Sequence, residues 1–105
     1  MTEINYTQKG EKVRISIVGH ALFRPGNDIV CAGVSAITFQ LITLAEELED
    51  EKLIYDLLIE VRDGFVIMTF SLVPEMFERW DTMWRVIRIG YRNIAEQYPD
   101  NVCFV

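Results

Sequence analysis

Apolar and polar residues alternate near the start of the chain, a pattern typical of β-strands with one buried face. The alternating apolar residues flank a turn expected at Lys9-Gly10 and are Ile4, Tyr6, Val13, Ile15 and Ile17. A two-residue loop at this point would pair residue 6 with residue 13 and residue 4 with residue 15. The pattern therefore predicts an N-terminal hairpin whose apolar side chains share one face.

Asp63-Gly64 predicts a second hairpin, because this dipeptide favours the positive φ angles of a tight two-residue turn. Counting outward from the turn gives the apolar pairs Val61–Val66, Ile59–Met68 and Leu57–Phe70. The opposite face is half apolar and carries Leu58, Phe65 and Ile67 beside Glu60 and Arg62. Such a face predicts a covering molecule, and a partner subunit is the first candidate.

Two segments have helical periodicity. The first follows Asp28, a residue suited to the N-cap, and its apolar residues are Val30, Val34, Ile37, Leu41, Leu44 and Leu48. The second is expected to open at Pro74 and to stop at Pro99, with the stripe Phe77, Trp80, Trp84, Ile87, Tyr91, Ile94 and Tyr98. The order ββαββα predicts one α+β domain over residues 1–105, an antiparallel sheet packed with two helices. Residues 102–105 could add a short C-terminal edge strand.

Composition narrows the functional classes. The 105 residues are half apolar and a quarter charged, and their net charge is −6. An acidic chain lacks the positive surface that phosphate contacts need, so no nucleic-acid partner is expected. Two cysteines and one histidine provide neither a disulfide framework nor a zinc cluster, and no cofactor is implied. The sequence shows no signal peptide and no uninterrupted apolar stretch of about 18 residues, so we expect a cytoplasmic protein without a membrane partner.

Cys31 is a candidate nucleophile because of its place on the first predicted helix. It lies in the first turn and points about 100° away from the apolar stripe. A cysteine that only packs in the core would be expected on the stripe itself. Ser35 and Thr38 follow on the same flank. Free backbone N–H groups and the positive end of the helix dipole favour a thiolate there and could also hold an oxyanion.

His20, the only histidine, is the candidate partner of this thiol. It ends the second predicted strand, and a loop leads from it to the helix that holds Cys31. A thiol and an imidazole within reach of each other are the minimal machinery for acyl transfer. Asp28 could orient the ring, cap the helix, or do both. Strict alternation places His20 on the wrong face of the strand, so a bulge at Gly19 would be needed to re-aim it.

Each of these residues also has an ordinary structural interpretation. Cys31 could be a small apolar residue, His20 a polar strand end, and Asp28 a simple N-cap. Ser35 could bond back to a helix carbonyl. The residues alone therefore leave two classes open: a Cys–His enzyme and a non-catalytic, dimeric peptide-binding module.

The strings around these residues resemble a known family. GHA at residues 19–21, followed by DIVCAGVS at residues 28–35, is similar to the signature of the ribosomal-processing cysteine protease Prp family. The similarity resumes with NIAEQYPD at residues 93–100 and extends over essentially the whole predicted order of elements.

This resemblance implies a cytoplasmic, homodimeric cysteine endopeptidase of ribosome biogenesis. Its substrate would be the N-terminal extension of a large-subunit ribosomal protein, cut after an apolar, aromatic-rich motif. Carried over to this chain, His20 and Cys31 are the catalytic pair, and the further signature positions are Gly19, Asp28 and Ser35. The loop that orders over substrate corresponds to residues 22–27, with Leu22, Phe23 and Asn27 as substrate-binding candidates. A phage capsid or scaffold protein with a similar motif is the alternative substrate, and a degenerate, inactive family member is the alternative function.

Overall fold

Two hairpins and a short C-terminal strand combine into a single five-stranded sheet. The computed structural model describes all residues, 1–105. Its strands are β1 (Thr2–Lys9), β2 (Lys12–Val18), β3 (Ile54–Arg62), β4 (Phe65–Leu72) and β5 (Val102–Phe104), and its helices are α1 (Ile29–Asp50) and α2 (Phe77–Gln97). This order confirms the predicted α+β class, the ββαββα sequence of elements and the C-terminal edge strand.

The strand order in the sheet is β3-β4-β2-β1-β5. β5 runs parallel to β1 and the other neighbouring pairs are antiparallel, so the sheet is mixed rather than antiparallel throughout as predicted. The pairing of Val18 with Phe65 places the end of β2 beside the start of β4. The β3–β4 turn therefore lies next to the residues that follow β2, where the candidate histidine is found.

The first hairpin differs in register from the prediction. Ile4 pairs with Ile17 and Tyr6 with Ile15, so the two-residue loop is residues 10–11 rather than residues 9–10. Gly10 has a φ of +60° and takes the first loop position, where glycine accommodates the positive φ of a tight turn. The register shift is two residues, which keeps every side chain on its expected face of the sheet.

The second hairpin follows the prediction near its turn and departs from it farther away. Val61 pairs with Val66 and Ile59 with Met68, as predicted. The predicted pair of Leu57 with Phe70 is wrong, because a bulge interrupts the register between Tyr55 and Leu58. The bulge contains Asp56, whose φ is +56°.

Both helices pack on one face of the sheet and share its hydrophobic core. The buried residues of α1 are Val30, Val34, Thr38, Leu41, Ala45 and Leu48. Ile37 and Leu44, predicted in the core stripe, are half-buried. The buried stripe is thus rotated toward the flank of Cys31, where the small side chains of Thr38 and Ala45 fit against their neighbours.

The start of α2 is preceded by a one-turn 3₁₀ helix, Pro74–Met76, so α2 itself begins at Phe77. Phe77 was predicted in the core but is 41% exposed, because Met76 fills the buried position beside it. The buried residues of α2 are Trp80, Trp84, Ile87 and Tyr91. α2 ends at Gln97, two residues before Pro99.

α1 is also long and apolar enough to cross a membrane, judged by length and composition alone. Core helices of folded domains meet the same criterion, and α1 buries six of its residues. Packing against the sheet and α2 therefore accounts for the buried part of its apolar composition, whereas Ile29 and Phe39 are each 62% exposed.

The face of the sheet that points away from the helices is only partly polar. Leu58 on this face is 71% exposed, and Phe65 and Ile67 are half-buried. The Arg62 guanidinium lies 4.4 Å from the centre of the Phe65 ring, a cation–π contact. No segment of this chain covers the face, and its coverage by a partner subunit stays a prediction.

Candidate active site

Asp28 fixes the start of α1 and, with it, the position of Cys31. Its carboxylate accepts hydrogen bonds from the backbone N–H of Cys31 at 2.8 Å and of Phe23 at 3.0 Å. The hydrogen bond from Cys31 lowers the pKa of the Asp28 carboxyl below its ordinary value of 3.8. Asp28 therefore caps the helix, as predicted, and also closes the loop over residues 23–28.

The helix cap occupies two of the backbone N–H groups that were expected to hold an oxyanion. The N–H of Cys31 donates to the Asp28 side chain, and the N–H of Ala32 donates to the Asp28 carbonyl oxygen at 3.0 Å. These two donors are therefore engaged within the protein. An oxyanion at the helix start would have to use donors that precede Cys31 in the chain.

Gly19 turns the chain at the end of β2, directly before His20, whose ring lies against the β3–β4 turn. Its φ of +101° is a conformation that other residues rarely adopt, and a Cβ here would overlap the carbonyl oxygen of Met1. The Gly19 N–H donates to the carbonyl oxygen of Gly64 at 2.8 Å, and the Thr2 hydroxyl donates to the Gly19 carbonyl oxygen at 3.2 Å. Gly19 therefore breaks the strict alternation of β2 directly before His20.

Cys31 and His20 line one cavity of about 240 Å³. It lies between the first half of α1, the ends of β2 and β3, and the start of β4. Cys31 is half-buried against the core, whereas the His20 side chain is 50% exposed. In this structure the imidazole contacts the β3–β4 turn. The structure thus brings both members of the predicted pair to one site.

The rest of the cavity lining combines aliphatic side chains with hydroxyl groups. Its aliphatic lining residues are Ile17, Val34, Val61 and Val66. The hydroxyl-bearing residues Ser35 and Thr38 line it from α1. The Thr38 hydroxyl donates to the Val34 carbonyl oxygen at 2.7 Å, so the Tyr91 hydroxyl, 2.8 Å away, donates to Thr38. Burial raises the pKa of Tyr91 to about 12.

The β3–β4 turn is a part of the site that sequence reasoning missed. The Asp63 carboxylate lies 3.7 Å from Nε2 of His20. Gly64 is so close to the ring that an added Cβ would lie 2.6 Å from the same nitrogen. The sequence identified this dipeptide as a turn only. Its place beside His20 depends on the strand order, for which the sequence contains no signal.

Three candidate substrate-binding residues lie in the loop outside this cavity. Leu22 has a φ of +56° and is 77% exposed. The Phe23 ring packs edge-to-face against Tyr98 at the end of α2, with ring centres 5.2 Å apart. Asn27 is exposed, and its N–H donates to the Pro25 carbonyl oxygen at 3.2 Å. Their role in substrate binding stays a prediction.

A thiol at the first turn of a helix and an imidazole at a strand end, on the walls of one cavity, define a candidate cysteine hydrolase. No group of three His, Cys, Asp or Glu side chains is placed to hold a metal ion. The family model described as cysteine protease Prp matches residues 1–103, and the chain belongs to this family.

Solved structures agree in fold. The essential ribosomal processing protease Prp from S. aureus, in complex with a covalently linked product peptide, shares 24% identity at a TM-score of 0.72, over 99% of this chain and 97% of that chain. SMU.848 from Streptococcus mutans shares 27% identity at a TM-score of 0.66, over 99% of this chain and 91% of that chain. The S. aureus protease with a substrate peptide shares 21% identity at a TM-score of 0.64, over 99% of this chain and 95% of that chain. No curated protein matches the chain.

Proposed function

We propose that this protein is a cysteine endopeptidase that removes a short N-terminal extension from a large-subunit ribosomal protein. Cys31 is the nucleophile and His20 is the general base and acid. The observation that carries the proposal is the shared cavity of these two side chains in a member of the Prp family.

The proton transfers of the reaction use the Cys31 thiol, the His20 imidazole and water. His20 takes the thiol proton, and the Cys31 sulfur attacks the scissile carbonyl carbon to form a C–S bond. The imidazolium then gives its proton to the leaving nitrogen as the C–N bond breaks. A water molecule, deprotonated by His20, attacks the resulting thioester. The peptide acid leaves, and the proton returns to the sulfur.

The lining of the cavity favours an apolar substrate segment. Four aliphatic side chains line it, and the exposed side chains of Leu22 and Phe23 stand on the loop that leads to α1. Closure of this loop over a bound peptide would extend the apolar contact. The S. aureus protease of the same fold has been crystallised with a substrate peptide, which supports a peptide as the ligand of this site.

The proposal extends to the setting of the reaction. We place the enzyme in the cytoplasm, where ribosomal proteins are made, and expect a homodimer that covers the open sheet face around Leu58. A sedimentation mass near that of a single 12.2 kDa chain at micromolar concentration would contradict the dimer.

The decisive experiment mixes the protein with the extension-bearing ribosomal protein and measures intact masses. We expect one cut after the aromatic-rich motif, abolished in Cys31→Ser and retained in the matched variant Cys103→Ser. Iodoacetamide labelling of the two cysteines runs in parallel. A rapidly labelled Cys31 without a cut would redirect the search to phage capsid or scaffold proteins. An inert Cys31 without a cut would leave a non-catalytic peptide-binding module.

A further inference from the structure

We propose that the β3–β4 turn, Asp63-Gly64, is the positioning element that holds the His20 imidazole for its reaction with Cys31. The inference rests on the proposed function, because it assigns a task to residues that act through His20. Three independent contacts of the turn with residues 19 and 20 support it.

The first contact is the packing of Gly64 against the imidazole. A Cβ built on Gly64 would lie 2.6 Å from Nε2 and 3.0 Å from both Cδ2 and Cε1 of His20. No real Cβ approaches ring atoms so closely, so the bare glycine backbone forms a wall for the ring edge. Any other residue at position 64 would push the imidazole out of its present place.

The second contact links the turn to the backbone that carries the imidazole. The Gly19 N–H donates to the carbonyl oxygen of Gly64 at 2.8 Å. The wall and the residue before His20 are therefore held together by a direct backbone hydrogen bond. The hydrogen bond thus fixes the distance between this wall and the backbone from which the imidazole extends.

The third contact is electrostatic. The Asp63 carboxylate is 3.7 Å from Nε2, and its side chain is 96% exposed. At this exposure the attraction between the carboxylate and the Nε2 side of the ring is weak, and salt screens it. Since the Nε2 edge of the ring faces the turn, Nδ1 is the nitrogen left to exchange the proton with Cys31.

The test compares Gly64→Ala with Gly10→Ala. Both glycines sit in hairpin turns with similar positive φ, +65° and +60°, a conformation that disfavours alanine at either position. Only Gly64 has the imidazole in contact, whereas an added Cβ on Gly10 meets nothing within 4 Å. We expect Gly64→Ala to lower the iodoacetamide labelling rate of Cys31 and kcat by about 10- to 100-fold, with KM nearly unchanged. Gly10→Ala should leave both rates at the wild-type level.

A double-variant cycle separates positioning from general damage. In the His20→Ala background, Gly64→Ala should have no further effect on Cys31 labelling, because the group that it displaces is gone. A merely structural role of Gly64 would instead lower the rate by the same factor in both backgrounds, and this result would overturn the proposal.

Asp63→Asn provides a test that does not strain the turn. We expect a loss of about two- to fivefold in the labelling rate at low ionic strength, vanishing near 1 M salt. The matched control is Asp50→Asn, which changes the net charge equally at the far end of α1. Equal effects of the two variants would refute the electrostatic part.

The controls also separate this proposal from the proposed function. Rapid, His20-dependent labelling of wild-type Cys31, together with wild-type rates in Gly64→Ala, would overturn the positioning role alone. Labelling of Cys31 no faster than that of Cys103 and unaffected by His20→Ala would overturn the proposed function itself.

Discussion

The buried hydroxyl pair Thr38–Tyr91 allows a quantitative test of what holds α1 and α2 together beneath the cavity. Tyr91 donates to Thr38, which donates to the Val34 carbonyl oxygen, and both side chains are buried. Tyr91→Phe removes one hydrogen bond and leaves Thr38 its bond to Val34. We therefore expect this variant to lose about 1 kcal/mol of unfolding free energy.

Thr38→Val should be more harmful, although it replaces one side chain by another of nearly the same shape. It leaves the Tyr91 hydroxyl buried without an acceptor, which we expect to cost about 2 kcal/mol. In the double variant both polar groups are gone, so its loss should be about 1 kcal/mol rather than the sum of about 3 kcal/mol.

Urea unfolding followed by tryptophan fluorescence measures all four proteins, because Trp80 and Trp84 are buried in the same core. Additive losses in the double variant would refute the assignment of a coupled hydroxyl pair. Cys31 labelling should stay at the wild-type rate throughout, since Asp28 rather than Thr38 fixes the start of α1.

Three further predictions concern pH and backbone conformation. Because the pKa of Tyr91 is raised from 10.0 to about 12, its contribution to stability is present below pH 10 and is lost as the pH rises toward 12. Two pKa units correspond to about 3 kcal/mol of unfolding free energy. Between pH 9 and a pH above 11, Tyr91→Phe should therefore lose less unfolding free energy than the wild-type protein. The pKa of Asp28 is lowered from 3.8, so its cap contributes stability above that pH and loses it as the pH falls through the folded-state value. Asp28→Asn, which caps without titrating, should lose less stability between pH 5 and pH 2, and an unchanged acid profile would contradict the cap. Gly19→Ala should destabilise the protein more than Gly10→Ala, which we expect to lose about 1 kcal/mol, because only Gly19 also contacts the Met1 carbonyl oxygen. Equal melting temperatures of these two variants would count against that contact.

The local features of the fold could be predicted where one residue pair determines the geometry. Asp63-Gly64 determined the pairing of Val61 with Val66 because the turn dipeptide fixes the strands closest to it. The bulge at Asp56 could not be predicted, since an aspartate at positive φ is uncommon and carries no distinct sequence signal. The loop of the first hairpin was predicted one residue too early in the chain, because a single glycine fits either of the two loop positions.

The candidate site could be predicted only in part, for a related reason. Cys31 and Asp28 are close in sequence, so helix periodicity and capping rules were enough to place them together. His20 required the backbone turn at Gly19, which the sequence permits but does not demand. Asp63 and Gly64 are more than 40 residues away from His20. They reach it only because β4 pairs with β2, a tertiary choice that local patterns do not determine.

The two glycines that flank the imidazole explain how an exposed histidine can be held in place. A side chain that is half open to solvent has few packing contacts to restrict it. Here the restriction comes from the backbone: Gly19 sets the direction in which His20 leaves β2, and Gly64 blocks one side of the ring. Both glycines have positive φ, and one hydrogen bond joins them. The precision of the site should therefore depend more on these two residues than on the aliphatic side chains that line the cavity.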